Sequence, residues 1–135
     1  GFAKAVEIKK ENKKIEELRN YFISELEKIP KTKINGPRGE KRLSNNINVC
    51  FSNIEAESIG SLLNSKKIFV SVGSACASNT LEPSHVLKAI GKNDLEANSS
   101  IRISLSKYTT KEEIDRALKE INKTVNLLRK ISPFN

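Results

Sequence analysis

Methionine and tryptophan are absent from this 135-residue chain, and it holds a single histidine. Without methionine there is no initiator residue. The opening Gly1-Phe2-Ala3-Lys4-Ala5-Val6-Glu7 reads as the inside of a running helix, so the chain is expected to be a segment cut from a longer protein. That opening also lacks the apolar core of a signal peptide. No apolar run is long enough to cross a membrane. The two cysteines, Cys50 and Cys76, lie 26 positions apart, which makes no zinc motif, since zinc sites need close ligand pairs. Nothing suggests a secreted, disulfide-stapled fold, and a cytoplasmic location with reduced thiols is the expectation. Aromatic residues make up 5% of the chain, and no base-stacking motif occurs. No glycine-rich phosphate loop is present either; Gly36-Pro37-Arg38-Gly39 is turn material.

What remains is an ordinary globular composition, 37% hydrophobic and 30% charged, of a length that suits one domain spanning residues 1–135. The net charge of +8 admits a stand-alone basic module that binds nucleic acid as an alternative reading. The lysines are interleaved with acids, as in Lys13-Lys14-Ile15-Glu16-Glu17, which argues instead for a solvated face.

Apolar periodicity sets out the elements. Ile15, Leu18, Phe22, Leu26 and Ile29 share one stripe and predict a helix over residues 2–29, ended by Pro30. The stripe is weaker from Phe2 to Lys14, so residues 1–30 read as a helix leading in from a preceding domain. A short strand over 31–34 and a turn over 35–40 follow. Asn46-Ile47-Asn48-Val49-Cys50-Phe51 alternates as a half-buried strand, with Cys50 on its more polar face as a small structural residue. Ser52 or Asn53 is expected to cap a helix through Asn64, with Ala56, Ile59, Leu62 and Leu63 inward. Residues 68–71 read as a strand. Pro83 opens a short helix with Val86, Leu87 and Ile90 on its apolar side and Gly91 as its stop. Ser100 to Leu105 alternates again, and Thr110-Lys111-Glu112-Glu113 is a capping box for a last helix to Ile131. The expected fold is α+β: a small, mostly antiparallel sheet with helices packed on one face.

Two residues stand out chemically. Cys76 sits among small residues in Val72-Gly73-Ser74-Ala75-Cys76-Ala77-Ser78, a setting for an exposed, usable thiol. His85 could pair with it or be a bystander. Arg102 lies mid-strand between Ile101 and Ile103 and points away from the core, either to bind a carboxylate or phosphate or to make a surface salt bridge.

The stretch from Val72 through Leu81-Glu82-Pro83-Ser84-His85-Val86-Leu87-Lys88-Ala89-Ile90-Gly91 closely resembles the cysteine-loop region of NifS/IscS-type cysteine desulfurases. So does Ser99-Ser100-Ile101-Arg102-Ile103-Ser104-Leu105 followed by Tyr108-Thr109-Thr110-Lys111-Glu112-Glu113. Asn46 to Phe51 and Glu55-Ala56-Glu57-Ser58 match more loosely, with Cys50 where the family has a serine-like residue and His85 where it has tyrosine. The resemblance implies the C-terminal small domain of a pyridoxal 5'-phosphate enzyme with the aminotransferase fold. The parent would convert L-cysteine to L-alanine, leave a persulfide on Cys76 and hold the substrate carboxylate with Arg102. It implies transfer of that sulfur to iron–sulfur scaffold proteins and to tRNA-thiolating enzymes, a homodimer, and Cys76 as a candidate metal ligand in a cluster shared with a scaffold. The family's cofactor lysine belongs to a preceding large domain and has no counterpart here. The chain alone is therefore expected to be inactive, with a poorly ordered Cys76 loop and a nearly ordinary thiol.

Overall fold

The computed structural model describes residues 1–72 and 83–133. Among the described residues, four strands, β1 (Thr32–Ile34), β2 (Asn46–Phe51), β3 (Ser71–Val72) and β4 (Ser100–Ser104), form one sheet in the order β1-β2-β4-β3, paired antiparallel throughout. The same residues form five helices: α1 (Phe2–Leu26), α2 (Ala56–Ser65), α3 (His85–Ala89), α4 (Asp94–Asn98) and α5 (Lys111–Ile131). The expected α+β class holds.

Strand alternation builds the core. Ile47, Val49 and Phe51 of β2 and Ile101 and Ile103 of β4 share one sheet face and are buried. Against them pack Phe22 and Leu26 of α1, Ile59 and Leu63 of α2, and Ile114, Ile121 and Val125 of α5. Each of these fully buried side chains contributes about 1.5–3 kcal/mol relative to exposure. Thr110 and Glu113 close the expected capping box on α5, with Thr110 Oγ1 accepting from Glu113 N at 3.2 Å and Glu113 Oε2 accepting from Thr110 N at 2.9 Å. Gly91, at φ +88°, ends α3 as expected. Its N–H donates to Lys88 O, and the Lys92 N–H to Leu87 O, both at 3.0 Å, the paired pattern of a glycine-stopped helix.

Several boundaries differ from expectation. α1 stops at Leu26, three-residue turns carrying the chain to a buried Ile29. α2 is capped by the extended backbone of Glu55, because Asn53 adopts a left-handed φ of 69° and cannot start a helix there. α3 begins at His85 rather than Pro83, and only Leu87 of its apolar side is buried, with Val86 and Ile90 exposed. β3 covers Ser71–Val72, not the apolar run before it, and Phe69 is exposed. The turn over 35–40 leads into a short 3-10 helix, Gly39–Lys41. α4 was not expected at all. It is started by a second capping box, Asn93 with Glu96, and lies against the sheet face opposite the main core.

Candidate functional site

The open face of the sheet carries a polar row across all four strands. Cross-strand partners point to the same face. Asn48 of β2 is paired with Arg102 of β4, and Arg102 with Ser71 of β3. Asn35, just beyond β1, completes the row: its N–H donates to Asn48 O at 2.9 Å and its Nδ2 to Asn48 Oδ1 at 2.8 Å. Alternation puts Arg102 on this face, as the sequence predicts, and the structure leaves it exposed. Arg102 Nη2 donates to Ser71 Oγ at 3.3 Å, its hydrogen bond among the described residues. No carboxylate among the described residues forms an ion pair with it.

The next row is half closed. Lys33, Cys50 and Ser100 are register partners; Cys50 and Ser100 are buried and Lys33 is exposed. Cys50 is on the outward face, as alternation requires, but is 1% exposed, with α4 packed against β2 on that side. Burial pushes its thiol above the ordinary range, against a smaller opposite pull from the Ser100 hydroxyl. A thiol so placed is a packing residue, in line with the structural role expected for it. Ser100 Oγ donates to Glu96 O at 2.6 Å and accepts from Asn35 Nδ2 at 2.9 Å, linking the two rows. Glu96 faces Lys33 at 3.9 Å and Lys92 at 3.7 Å.

Cys76 falls within residues 73–82, outside the described residues, as do its loop and any pairing with His85. His85 itself is exposed at the start of α3. Sequence reasoning missed the residues that hold the row in place. Arg19, in α1, is 1% exposed and donates through Nη1 to Arg42 O at 3.2 Å and Leu43 O at 3.0 Å. Arg42 donates to Pro37 O at 2.7 Å and to Asn35 O, tying down the segment that delivers Asn35. Neither contact has a sequence signal. The Asn93–Glu96 box of α4 did have one, a capping residue followed three positions later by glutamate.

The profile of the family described as Aminotransferase class-V matches residues 2–117. The chain belongs to that family. Among curated relatives, it is 46% identical over 128 residues to cysteine desulfurase IscS of Methanosarcina thermophila, which covers 95% of this chain and 31% of the relative. It is 46% identical over 140 residues to cysteine desulfurase IscS of Dictyoglomus turgidum, covering 99% and 35%. Among solved structures, a NifS-like protein superposes with a TM-score of 0.77 at 34% identity, over 92% of this chain and 30% of that one. A NifS-like protein from Rickettsia africae gives 0.72 at 29% identity, over 85% and 29%. This class-V aminotransferase chain thus spans about a third of the length of the curated relatives it matches.

The family implies pyridoxal phosphate in the parent enzyme. The residues on the open face do not fit that group. On β2, β3 and β4 they are amides, hydroxyls, Cys50 and one arginine; the lysine of that face, Lys33 on β1, is engaged with Glu96. They supply no free amine for the cofactor's aldehyde and no N–H cradle for its phosphate. They do fit a carboxylate, which takes two parallel bonds from a guanidinium. Among the described residues there is no cluster of three His, Cys, Asp or Glu that could hold a metal.

Proposed function

We propose that this chain is the C-terminal small domain of a cysteine desulfurase, with residues 1–30 leading in from the larger domain that holds the pyridoxal phosphate. The observation that carries the reading is Arg102: an exposed guanidinium on the open sheet face with no carboxylate partner among the described residues, in a chain similar to desulfurases over nearly its whole length. Arg102 binds the carboxylate of L-cysteine. Cys76 takes up the sulfur: the substrate's C–S bond breaks, an S–S bond forms on Cys76 Sγ, and the thiol hydrogen is made good at the Cβ of departing L-alanine. The reaction needs no outside oxidant, since one thiol and L-cysteine become one persulfide and L-alanine. The persulfide passes to iron–sulfur scaffold and tRNA-thiolating acceptors, and Cys76 is the candidate ligand of any cluster shared with a scaffold. The parent is a cytoplasmic homodimer, and the chain alone is inactive.

The test is made in the complete enzyme. Arg102→Ala should raise KM for L-cysteine at least about 10-fold, the loss of a charge-assisted pair. Cys76→Ser should abolish persulfide formation measured by thiol-specific labelling. An unchanged KM in the first, or full sulfur delivery in the second, overturns the assignment.

A further inference from the structure

Arg102 is a long side chain on an exposed strand, and a substrate carboxylate is held well only by a guanidinium whose plane is already set. Among the described residues, one side chain is hydrogen-bonded to it. Ser71 is the register partner of Arg102 on β3, and its Oγ accepts from Arg102 Nη2 at 3.3 Å. We propose that Ser71 is a positioning residue for Arg102: its hydroxyl accepts a hydrogen bond from one of the five guanidinium N–H groups and leaves the fork that receives the substrate carboxylate oriented along the polar row of the sheet. The inference rests on the carboxylate-binding role proposed above for Arg102.

The surroundings support this. A guanidinium has five N–H donors, so after one is given to Ser71 there are enough for two parallel bonds to a carboxylate. Ser71 is itself well placed to act as an anchor. β3 lies close against α2 because Gly60 has no side chain: a Cβ there would come within 3.1 Å of Val72 Cγ1. On the other side, Asn48 is held by the amide of the buried Asn35. The arginine therefore stands between two polar neighbours, Asn48 held by the Asn35 amide and Ser71 on a strand that packs on α2 through Val72. A hydroxyl is suited to this role. It accepts from the cation without neutralising it, whereas a carboxylate at position 71 would occupy the fork.

A filler serine on an edge strand would look similar, so the test must read the carboxylate specifically. In the complete enzyme, Ser71→Ala should raise KM for L-cysteine about 3- to 10-fold, with a smaller fall in kcat, as expected for one lost hydrogen bond of ordinary strength. Ser71→Thr, which keeps the hydroxyl, should restore KM to within about twofold. Two competitors separate positioning from packing. Inhibition by 3-mercaptopropionate, which carries the carboxylate, should weaken in Ser71→Ala by the same factor as KM. Inhibition by cysteamine, which lacks it, should not change. Equal weakening of both competitors, no weakening of either, or failure of Ser71→Thr to restore KM overturns the proposal. Arg102→Ala run alongside distinguishes the two claims. If it leaves 3-mercaptopropionate inhibition intact, the role of Arg102 itself fails. If it weakens that inhibition while Ser71→Ala does not, only the role of Ser71 fails.

Discussion

The arginines of this chain are the same residue put to opposed uses. Arg19 is buried and spends its donors on the backbone carbonyls of Arg42 and Leu43 and on Glu16 Oε1 at 3.2 Å. Arg42 is buried beside it. Desolvation lowers its basicity, and the nearby positive charges of Arg19 and Arg38 add to the effect, so its bonds to Pro37 O and Asn35 O are what make its burial tolerable. Arg102 is exposed and, among the described residues, donates to Ser71 Oγ at 3.3 Å. Arg19→Met should therefore cost about 1–3 kcal/mol, because the Arg42 carbonyl it served stays buried without that donor; chemical denaturation measures it, and a loss under about 0.5 kcal/mol would contradict the role. Cys50 gives a pH test. Burial raises its folded pKa above the unfolded one, so the thiol's contribution is complete below the unfolded value and is lost as pH climbs through the folded one. The Tm difference between the wild-type chain and Cys50→Ala should narrow as pH rises past about 8.5. A constant gap would mean that the thiol is not held in its neutral form.

Elements were legible in the sequence where local signals agreed and opaque where contacts decided. α5 has both an apolar stripe and a capping box, and Ile114, Ile121, Val125 and Leu128 are buried as the periodicity predicts. Thr110→Ala should cost about 1 kcal/mol in thermal unfolding, most of it the lost cap. β3 was misplaced because Ile68-Phe69-Val70 looks like a buried strand, whereas the described residues of this segment that pair with β4 are Ser71 and Val72. β3 approaches α2 closely at Gly60, where a Cβ would come within 3.1 Å of Val72 Cγ1. Gly60→Val should destabilise by about 1–3 kcal/mol through overpacking against Val72, despite the better helix propensity, and should raise KM for L-cysteine in the complete enzyme by displacing Ser71. α4 is only five residues long, too short to show a period, so its capping box was its only readable sign. In α1, residues 1–10 are all exposed, which matches the weak stripe there; their amides should exchange with deuterium faster than those of residues 18–26.

At the scale of the molecule, one core joins α1, α2, α5 and the sheet. Arg129 of α5 reaches the far end of the chain's first half, donating to Pro30 O at 2.5 Å and Lys31 O at 3.0 Å. Ser132 Oγ donates to Asn53 O at 3.1 Å beside it. Unfolding should accordingly be a single transition, coincident by circular dichroism and tyrosine fluorescence, and Arg129→Ala should lower its midpoint without splitting it. The sequence by itself determined the α+β class, the inward faces of β2, β4 and α5, and the outward direction of Arg102. These follow from periods of two and 3.6, which are local properties of the backbone. Only the tertiary structure decided that Cys50 is buried on the side where α4 packs against β2, that Arg19 and Arg42 hold the segment before β2, and that Asn35, Asn48, Arg102 and Ser71 stand in one row. Each of these depends on which distant residues meet across the sheet, and alternation says which face a side chain takes but not what covers it or stands beside it.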